Sequence, residues 1–265
     1  MFYKYQYIKM IMTKPILKAY WNKIFFEFLV HKKDSADAII ILPGFPSSNN
    51  EDELMRFFYE KGFNVFYLRY RGSFQSKGYF LESNLVGDMI QCINHINKGK
   101  VVSLWDMEEK SFKNRDLILL TGSFGGAIAC GIAAKSDHLI SKIILSAPVW
   151  DFDKHNTTYE EQNLSRLLDF VKKAYKNLYR IKFNNLINQL HKFREISQEY
   201  YLKKLDCHLL VFHDPKDKTV SIDHTKEIVK KIKNSKLIEH NFGHGLSEEL
   251  IKQYWNEIER FIKYD

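Results

Sequence analysis

The sequence predicts an α/β chain with a mostly parallel central sheet and helices on both faces. Short apolar runs alternate with stretches of helical period along most of the chain, and strands that alternate with helices build a parallel sheet covered by its crossovers. The polar clusters suited to chemistry fall just after the apolar runs 38–42, 117–121, 208–213 and 236–239. Open sheets of this kind bind ligands at the carboxyl ends of their strands.

In chain order, residues 24–30 read as an early strand, 38–42 as a second, 51–61 as a helix and 64–69 as a strand. Residues 84–97 set Leu85, Met89, Ile93 and Ile96 on one helical face. The segment 106–115 is charged and reads as an exposed loop or hairpin. Residues 117–121 form a strand, 125–134 a helix rich in small residues, and 142–146 the next strand. After a long helical stretch come a strand at 208–213, a helix at 222–233, a strand at 236–239 and a closing helix at 248–262.

Composition narrows the class. The 265 residues are 45% hydrophobic and 15% aromatic, enough to bury a large core, which argues against a disordered chain. The net charge is +8, but the lysines are scattered, as in Lys172-Lys173 and Lys230-Lys231. That pattern fits a solvated surface better than a nucleic-acid-binding arm, so no nucleic-acid partner is expected. Cys92, Cys130 and Cys207 are odd in number and widely spaced in mostly apolar contexts. They read as reduced core residues of a cytoplasmic protein, and their spacing suggests no metal site. No run is long enough to span a bilayer, and residues 1–15 lack the apolar core of a signal peptide. Those residues read as a disordered leader, with Met10 or Met12 as an alternative start.

The most informative segment is Thr121-Gly122-Ser123-Phe124-Gly125-Gly126, which joins an apolar run to a small-residue run. A serine on a sharp strand-to-helix turn needs small neighbours, because bulk beside the turn clashes with the adjoining strand and helix. Ser123 is the candidate nucleophile. Taken alone, the hexapeptide is equally compatible with Ser123 as a helix cap.

With these motifs in these places, the chain resembles an α/β-hydrolase from about residue 24 to the C-terminus. The family order is nucleophile, acid, histidine. Ser123 matches the nucleophile elbow, with Thr121 where the leading glycine usually stands. In His213-Asp214-Pro215-Lys216-Asp217-Lys218-Thr219-Val220, the positions of Asp217 and Val220 match the acid loop. The resemblance assigns the acid to Asp217, with Asp214 as the nearest rival, though better suited to forming the turn, and Asp151 as a second. Gly243-His244-Gly245 lies where the family keeps its base; His240 and His213 are more easily structural. Leu42-Pro43-Gly44-Phe45-Pro46-Ser47-Ser48 resembles the oxyanion loop, with Pro43 in place of the usual histidine. It implies oxyanion donors at the backbone N–H groups of Phe45 and Phe124. Arg71-Gly72-Ser73 and Asp88 match positions of structural duty.

The implied organisation is a hydrolase core over 16–150 and 205–265, with a helical cap inserted at 151–204. The implied activity is a serine hydrolase without metal or cofactor, cleaving an ester, thioester or amide of a small substrate, such as a short peptide, through an acyl-enzyme on Ser123. The Pro-Gly-Phe-Pro-Ser-Ser and Arg-Tyr-Arg-Gly-Ser stretches look closest to the prolyl-oligopeptidase-like and serine-aminopeptidase-like branches. A small carboxylesterase or thioesterase is an equal expectation. An acyltransferase with the same triad and a non-catalytic binding protein are the alternatives. The oligomeric state is left open.

Overall fold

The structure is a computed structural model that describes residues 14–32, 35–47, 51–153 and 164–264. Strands β1 (Leu17–Trp21), β2 (Ile24–Leu29) and β3 (Ser35–Leu42) lead into helix α1 (Asp52–Glu60), β4 (Asn64–Leu68) and α2 (Leu85–Asn97). A small hairpin, β5 (Lys100–Val102) with β6 (Glu109–Ser111), precedes β7 (Lys113–Gly122), α3 (Gly125–Lys135) and β8 (Lys142–Ser146). Helices α4 (Leu164–Ala174), α5 (Leu186–Leu190) and α6 (Gln198–Tyr201) follow. The chain closes with β9 (His208–His213), α7 (Ile222–Val229), β10 (Ser235–Glu239), α8 (Glu248–Gln253) and α9 (Trp255–Tyr264).

Eight strands form one sheet in the order β1-β2-β4-β3-β7-β8-β9-β10. Strand β2 runs antiparallel to both its neighbours, and every pairing from β4 to β10 is parallel. Alternation along the central strands explains why both faces are covered. Ala38, Ile40 and Leu42 of β3 enter one apolar cluster, and Ile39 and Ile41 enter the other. Likewise Leu117 and Leu119 of β7 oppose Ile118 and Leu120. The first cluster packs under α2, α3 and the helices after β8; the second packs under α1, α8 and α9.

Strand β1 was not anticipated from sequence. It is an edge strand with one wet face, Leu17 and Ala19 buried while Lys18 and Tyr20 are exposed, and so it lacks a continuous apolar run. Strand β7 begins four residues earlier than its apolar stretch, because Lys113 pairs with Ser35 and Arg115 forms an ion pair with Asp37 at 3.0 Å. The single closing helix expected at 248–262 is two helices, broken at Tyr254 (φ −104°, ψ 25°). Of the leader expected over 1–15, residues 1–13 lie outside the described residues. Lys14 is held, donating to Val30 O and to Tyr59 Oη (2.8 Å).

The described part of the 151–204 insertion attaches at several points. Glu195 accepts from Lys135 Nζ of α3 at 2.6 Å and from Asn84 Nδ2, the cap of α2, at 2.7 Å. Tyr201 donates its hydroxyl to Trp150 O at 2.5 Å. Residues 178–180 form hydrogen bonds to the loop after β4: Phe74 N to Leu178 O, Arg180 N to Gly72 O and Phe80 N to Arg180 O. Arg180 adds donations to the carbonyls of Phe74, Ser76 and Gly78.

Candidate active site

Ser123 stands between β7 and α3 with φ +52°, a left-handed conformation that costs a non-glycine residue roughly 1–2 kcal/mol. Its backbone is fixed on both sides: Ser123 N donates to Ser146 O at 3.0 Å, and Val149 N donates to Ser123 O at 2.8 Å. The turn is tight enough to dictate its neighbours. A Cβ on Gly125 would lie 1.9 Å from Thr121 Oγ1, and one on Gly126 2.5 Å from Pro148 Cβ. Thr121 is buried and donates its hydroxyl to Leu42 O at 2.9 Å. The threonine that replaces the leading glycine therefore ties the elbow to β3, and the space it fills is why Gly125 must lack a side chain.

Asp217 follows β9. Its side chain is fully buried; Oδ1 accepts from Thr219 N (2.7 Å) and Val220 N (3.1 Å), while Oδ2 accepts from His244 Nδ1 at 2.8 Å. His213 Nε2 lies 3.6 Å from Oδ2 and also bonds Val220 O at 2.9 Å. Burial alone would raise the Asp217 carboxyl, but hydrogen bonds from His213, His244 and the Val220 backbone outweigh it and hold the group well below the usual carboxylate range. Each ring nitrogen of His213 has a hydrogen-bond partner. A carbonyl only accepts, so Nε2 carries a proton; Nδ1 lies 2.8 Å from the Thr225 hydroxyl, which accepts from Trp150 Nε1 (2.9 Å). His213 is thus a buried support for the acid loop.

The other candidate acids and His240 each have a backbone partner. Asp214 accepts from Lys216 N at 2.8 Å, forming the expected turn, and from Gly243 N at 2.7 Å, clamping the acid loop to the histidine loop. These backbone donors lower its pKa. Asp151 accepts from Asp153 N at 2.9 Å. His240 is buried and its Nδ1 accepts from Phe242 N at 3.0 Å.

The glycines around His244 serve backbone shape. Gly243 (φ +74°) and Gly245 (φ +94°) are left-handed, and no atom lies within 4 Å of an added Cβ at either. Ser146 Oγ, one strand away, donates to Gly245 O at 2.5 Å, so the residue that receives the Ser123 amide also holds the histidine loop. The His244 side chain is 26% exposed.

The loop after β3, where one of the oxyanion donors is expected, lies against the turn at Ser123: a Cβ on Gly44 would be 3.7 Å from Ser123 Cβ. Neither Phe45 N nor Phe124 N has a backbone or side-chain acceptor among the described residues. Both rings are anchored in one aromatic cluster. Phe45 stacks on Phe80 (4.8 Å) and meets Phe124 (5.3 Å) and Tyr179 (5.0 Å), and Tyr179 Oη accepts from Ser47 N at 3.1 Å. Ser48 lies outside the described residues. Behind the loop, Arg71 makes a two-pronged pair with Asp88, at 2.7 and 2.6 Å, and Ser83 Oγ adds a third bond to the same carboxylate.

Ser123, His244, Gly44 and Phe45 line one cleft of about 310 Å³, together with Leu164 and Leu167 of α4 and with Glu51. Glu51 was missed in the sequence, where it reads only as the first residue of a helical stretch. Among the described residues, no group of three or more His, Cys, Asp or Glu side chains could hold a metal ion, and no helix is long and apolar enough to cross a membrane.

No curated protein is similar enough in sequence to match the chain. Similar solved structures include Est1E from Butyrivibrio proteoclasticus, determined with ferulic acid bound (16% identity, TM-score 0.66, covering 93% of this chain and 99% of that one). The esterase Pf2001 of Pyrococcus furiosus is similar at 14% identity and TM-score 0.65, over 97% and 92% of the two chains. The acylaminoacyl peptidase of Pyrococcus horikoshii is similar at 17% identity and TM-score 0.66, over 98% of this chain and 44% of the peptidase. These likenesses show the α/β-hydrolase fold. The profile of the family described as serine aminopeptidase, S33, matches residues 33–254. The chain therefore belongs to the serine aminopeptidase S33 family and is a serine hydrolase.

Proposed function

We propose that the chain hydrolyses an ester, thioester or amide of a small substrate through an acyl-enzyme on Ser123. The observation that carries this reading is the Asp217–His244 hydrogen bond at 2.8 Å, made from a buried carboxylate to a half-open imidazole on the cleft that Ser123 lines. With Nδ1 engaged by Asp217, Nε2 is the ring nitrogen left to take the Ser123 proton. Ser123 Oγ bonds to the substrate carbonyl carbon, and the carbonyl electrons move to oxygen, where Phe45 N–H and Phe124 N–H donate. Each such donor contributes roughly 3 kcal/mol in the transition state. The N-terminus of α3 beside Ser123 adds a favourable dipole. The tetrahedral intermediate expels the leaving group, which takes the proton from His244; water, deprotonated by His244, then releases the acid.

The cleft suits a small acyl group. Its volume is at the lower end for small-molecule sites, and Leu42, Phe45, Val149, Phe152 and Leu246 give it an apolar wall. The helical segment within 151–204 serves as a cap on this reading, since Leu164 and Leu167 reach the cleft and would exclude water from it. The buried free thiols of Cys92, Cys130 and Cys207 fit a reducing, cytoplasmic setting.

The test is covalent labelling by a fluorophosphonate probe. Wild type is expected to label, Ser123→Ala not at all, and His244→Ala and Asp217→Asn more slowly; with an ester substrate Asp217→Asn should lower kcat by about 10³–10⁴. A folded wild type that does not label would replace this reading with that of a binding protein on a hydrolase fold.

A further inference from the structure

Residues 43–47, between β3 and α1, lie outside strand and helix and carry Phe45, whose N–H is expected to meet the developing oxyanion. Pro43 and Pro46 have no N–H to give to a partner. The hold on this stretch comes from far along the chain. Ser47 N donates to Tyr179 Oη at 3.1 Å across 132 residues of sequence, and the Tyr179 ring meets the Phe45 ring edge-on, at 5.0 Å and 89°. One side chain therefore touches residue 45 with its ring and residue 47 with its hydroxyl, on either side of Pro46. Ser47 Oγ also lies 3.4 Å from Tyr67 Oη, a longer contact that holds the side chain and not the backbone amide.

Tyr179 is itself fixed. It is 2% exposed, and its ring also meets Phe80 at 5.3 Å and Phe74 at 5.4 Å. Its backbone bridges Ser73 in antiparallel fashion, with Phe74 N donating to Leu178 O at 2.6 Å and Arg180 N to Gly72 O at 2.9 Å. Tyr179 is not among the described residues that line the Ser123 cleft, so any effect on the reaction passes through the loop it holds. An oxyanion donor contributes only when it is aimed at the oxygen from about 2.7–3.1 Å, and a small displacement forfeits much of it.

We propose that Tyr179 is a positioning residue for the oxyanion site: its hydroxyl, by holding Ser47 N, sets the direction of the Phe45 N–H. This rests on the reading of Ser123 as nucleophile and Phe45 N–H as donor, and it makes that donor depend on a residue of the 151–204 insertion. The consequence is chemically specific. A donor turned away weakens stabilisation of charge on oxygen and leaves proton transfer by His244 untouched. Thiocarbonyl sulfur accepts hydrogen bonds weakly, so a thionoester gains less from the donor than its oxygen ester does.

p-Nitrophenyl acetate and its thionoester, O-(4-nitrophenyl) ethanethioate, are compared by kcat/KM, which reports acylation, for wild type, Tyr179→Phe, Tyr179→Leu and Asp217→Asn, with a thermal melt of each. Tyr179→Phe keeps the ring and removes the acceptor. It should lose about tenfold on the oxygen ester and distinctly less on the thionoester, with a cooperative melt retained. Tyr179→Leu, which removes the ring as well, should lose at least as much with the same bias against oxygen. Asp217→Asn acts through His244 and should lower both esters alike. An unchanged ester-to-thionoester ratio in Tyr179→Phe, whether both rates hold or both fall together, would overturn the positioning role. Loss of cooperative unfolding in Tyr179→Phe would overturn it too, since the hydroxyl would then serve stability; if only Tyr179→Leu fails to fold, Tyr179→Phe decides. Absence of fluorophosphonate labelling in wild type is a separate result that removes the nucleophile reading itself.

Discussion

At Asp217 two backbone amides and one imidazole converge on a carboxylate that solvent does not reach. These donors make the ionised form the stable one despite burial. Glu51, which lines the cleft, lacks them, and burial raises its pKa to about 7. The two carboxylates are driven in opposite directions by one difference, the presence or absence of N–H groups aimed at them. The folded pKa of Glu51 lies above the usual glutamate value near 4.5, so its contribution to stability is present below pH 4.5 and is lost as pH rises through about 7. Arg69 and Tyr67 are the ionisable groups that act on it electrostatically. Glu51→Gln cannot ionise and escapes this loss. Its stability relative to wild type should increase between pH 4 and pH 8 by on the order of 1–2 kcal/mol, after discounting for partial exposure. Thermal melts of both proteins across that range check it, and a constant difference would contradict the assigned environment.

The segments around Ser123, Asp217 and His244 are each a few residues at the end of a strand, which is why their local shape leaves a signature in the sequence. A glycine, a serine and another glycine between an apolar run and a small-residue run describe a local turn, and local turns leave local signatures. What stayed hidden depends on distant elements. Glu51 matters because the loop after β3 returns to the Ser123 cleft, and Asp214 matters because Gly243, 29 residues away, donates to it. Edge strand β1 escaped notice because half of it is wet. The elbow also carries a pairwise dependence that no single position reveals: Thr121 Oγ1 fills the space where a Cβ of residue 125 would go. Gly125→Ala should destabilise the protein by about 2–4 kcal/mol. In a Thr121→Ala background the same change should cost distinctly less, since the nearest clash is gone and the next contacts are at 3.1–3.2 Å. A double-mutant cycle by denaturant unfolding measures the coupling; strictly additive penalties would show that another contact limits the site.

Across the whole molecule, the sheet's two apolar faces fix the order of layers, and the polar residues collected at one end of β3, β7, β8 and β9 follow from the parallel run of those strands. The residues between β8 and β9 are bound into this end at three places: Glu195 to α2 and α3, Tyr201 to Trp150, and residues 178–180 to the loop after β4. Tyr179 also supports Ser47 and packs its ring edge on Phe45. The segment is therefore not a detachable module. A chimaera that exchanges residues 151–204 for the corresponding segment of another hydrolase keeps Ser123, Asp217 and His244 but removes an aromatic wall and a hydrogen bond from the oxyanion loop. Such recombinants should label with the fluorophosphonate more slowly than wild type even when they fold, and grafts that restore a tyrosine at position 179 should recover part of the rate. Inheritance of a new substrate range by swapping this segment would require compensating change in the loop after β3, so the two stretches are expected to evolve as one unit.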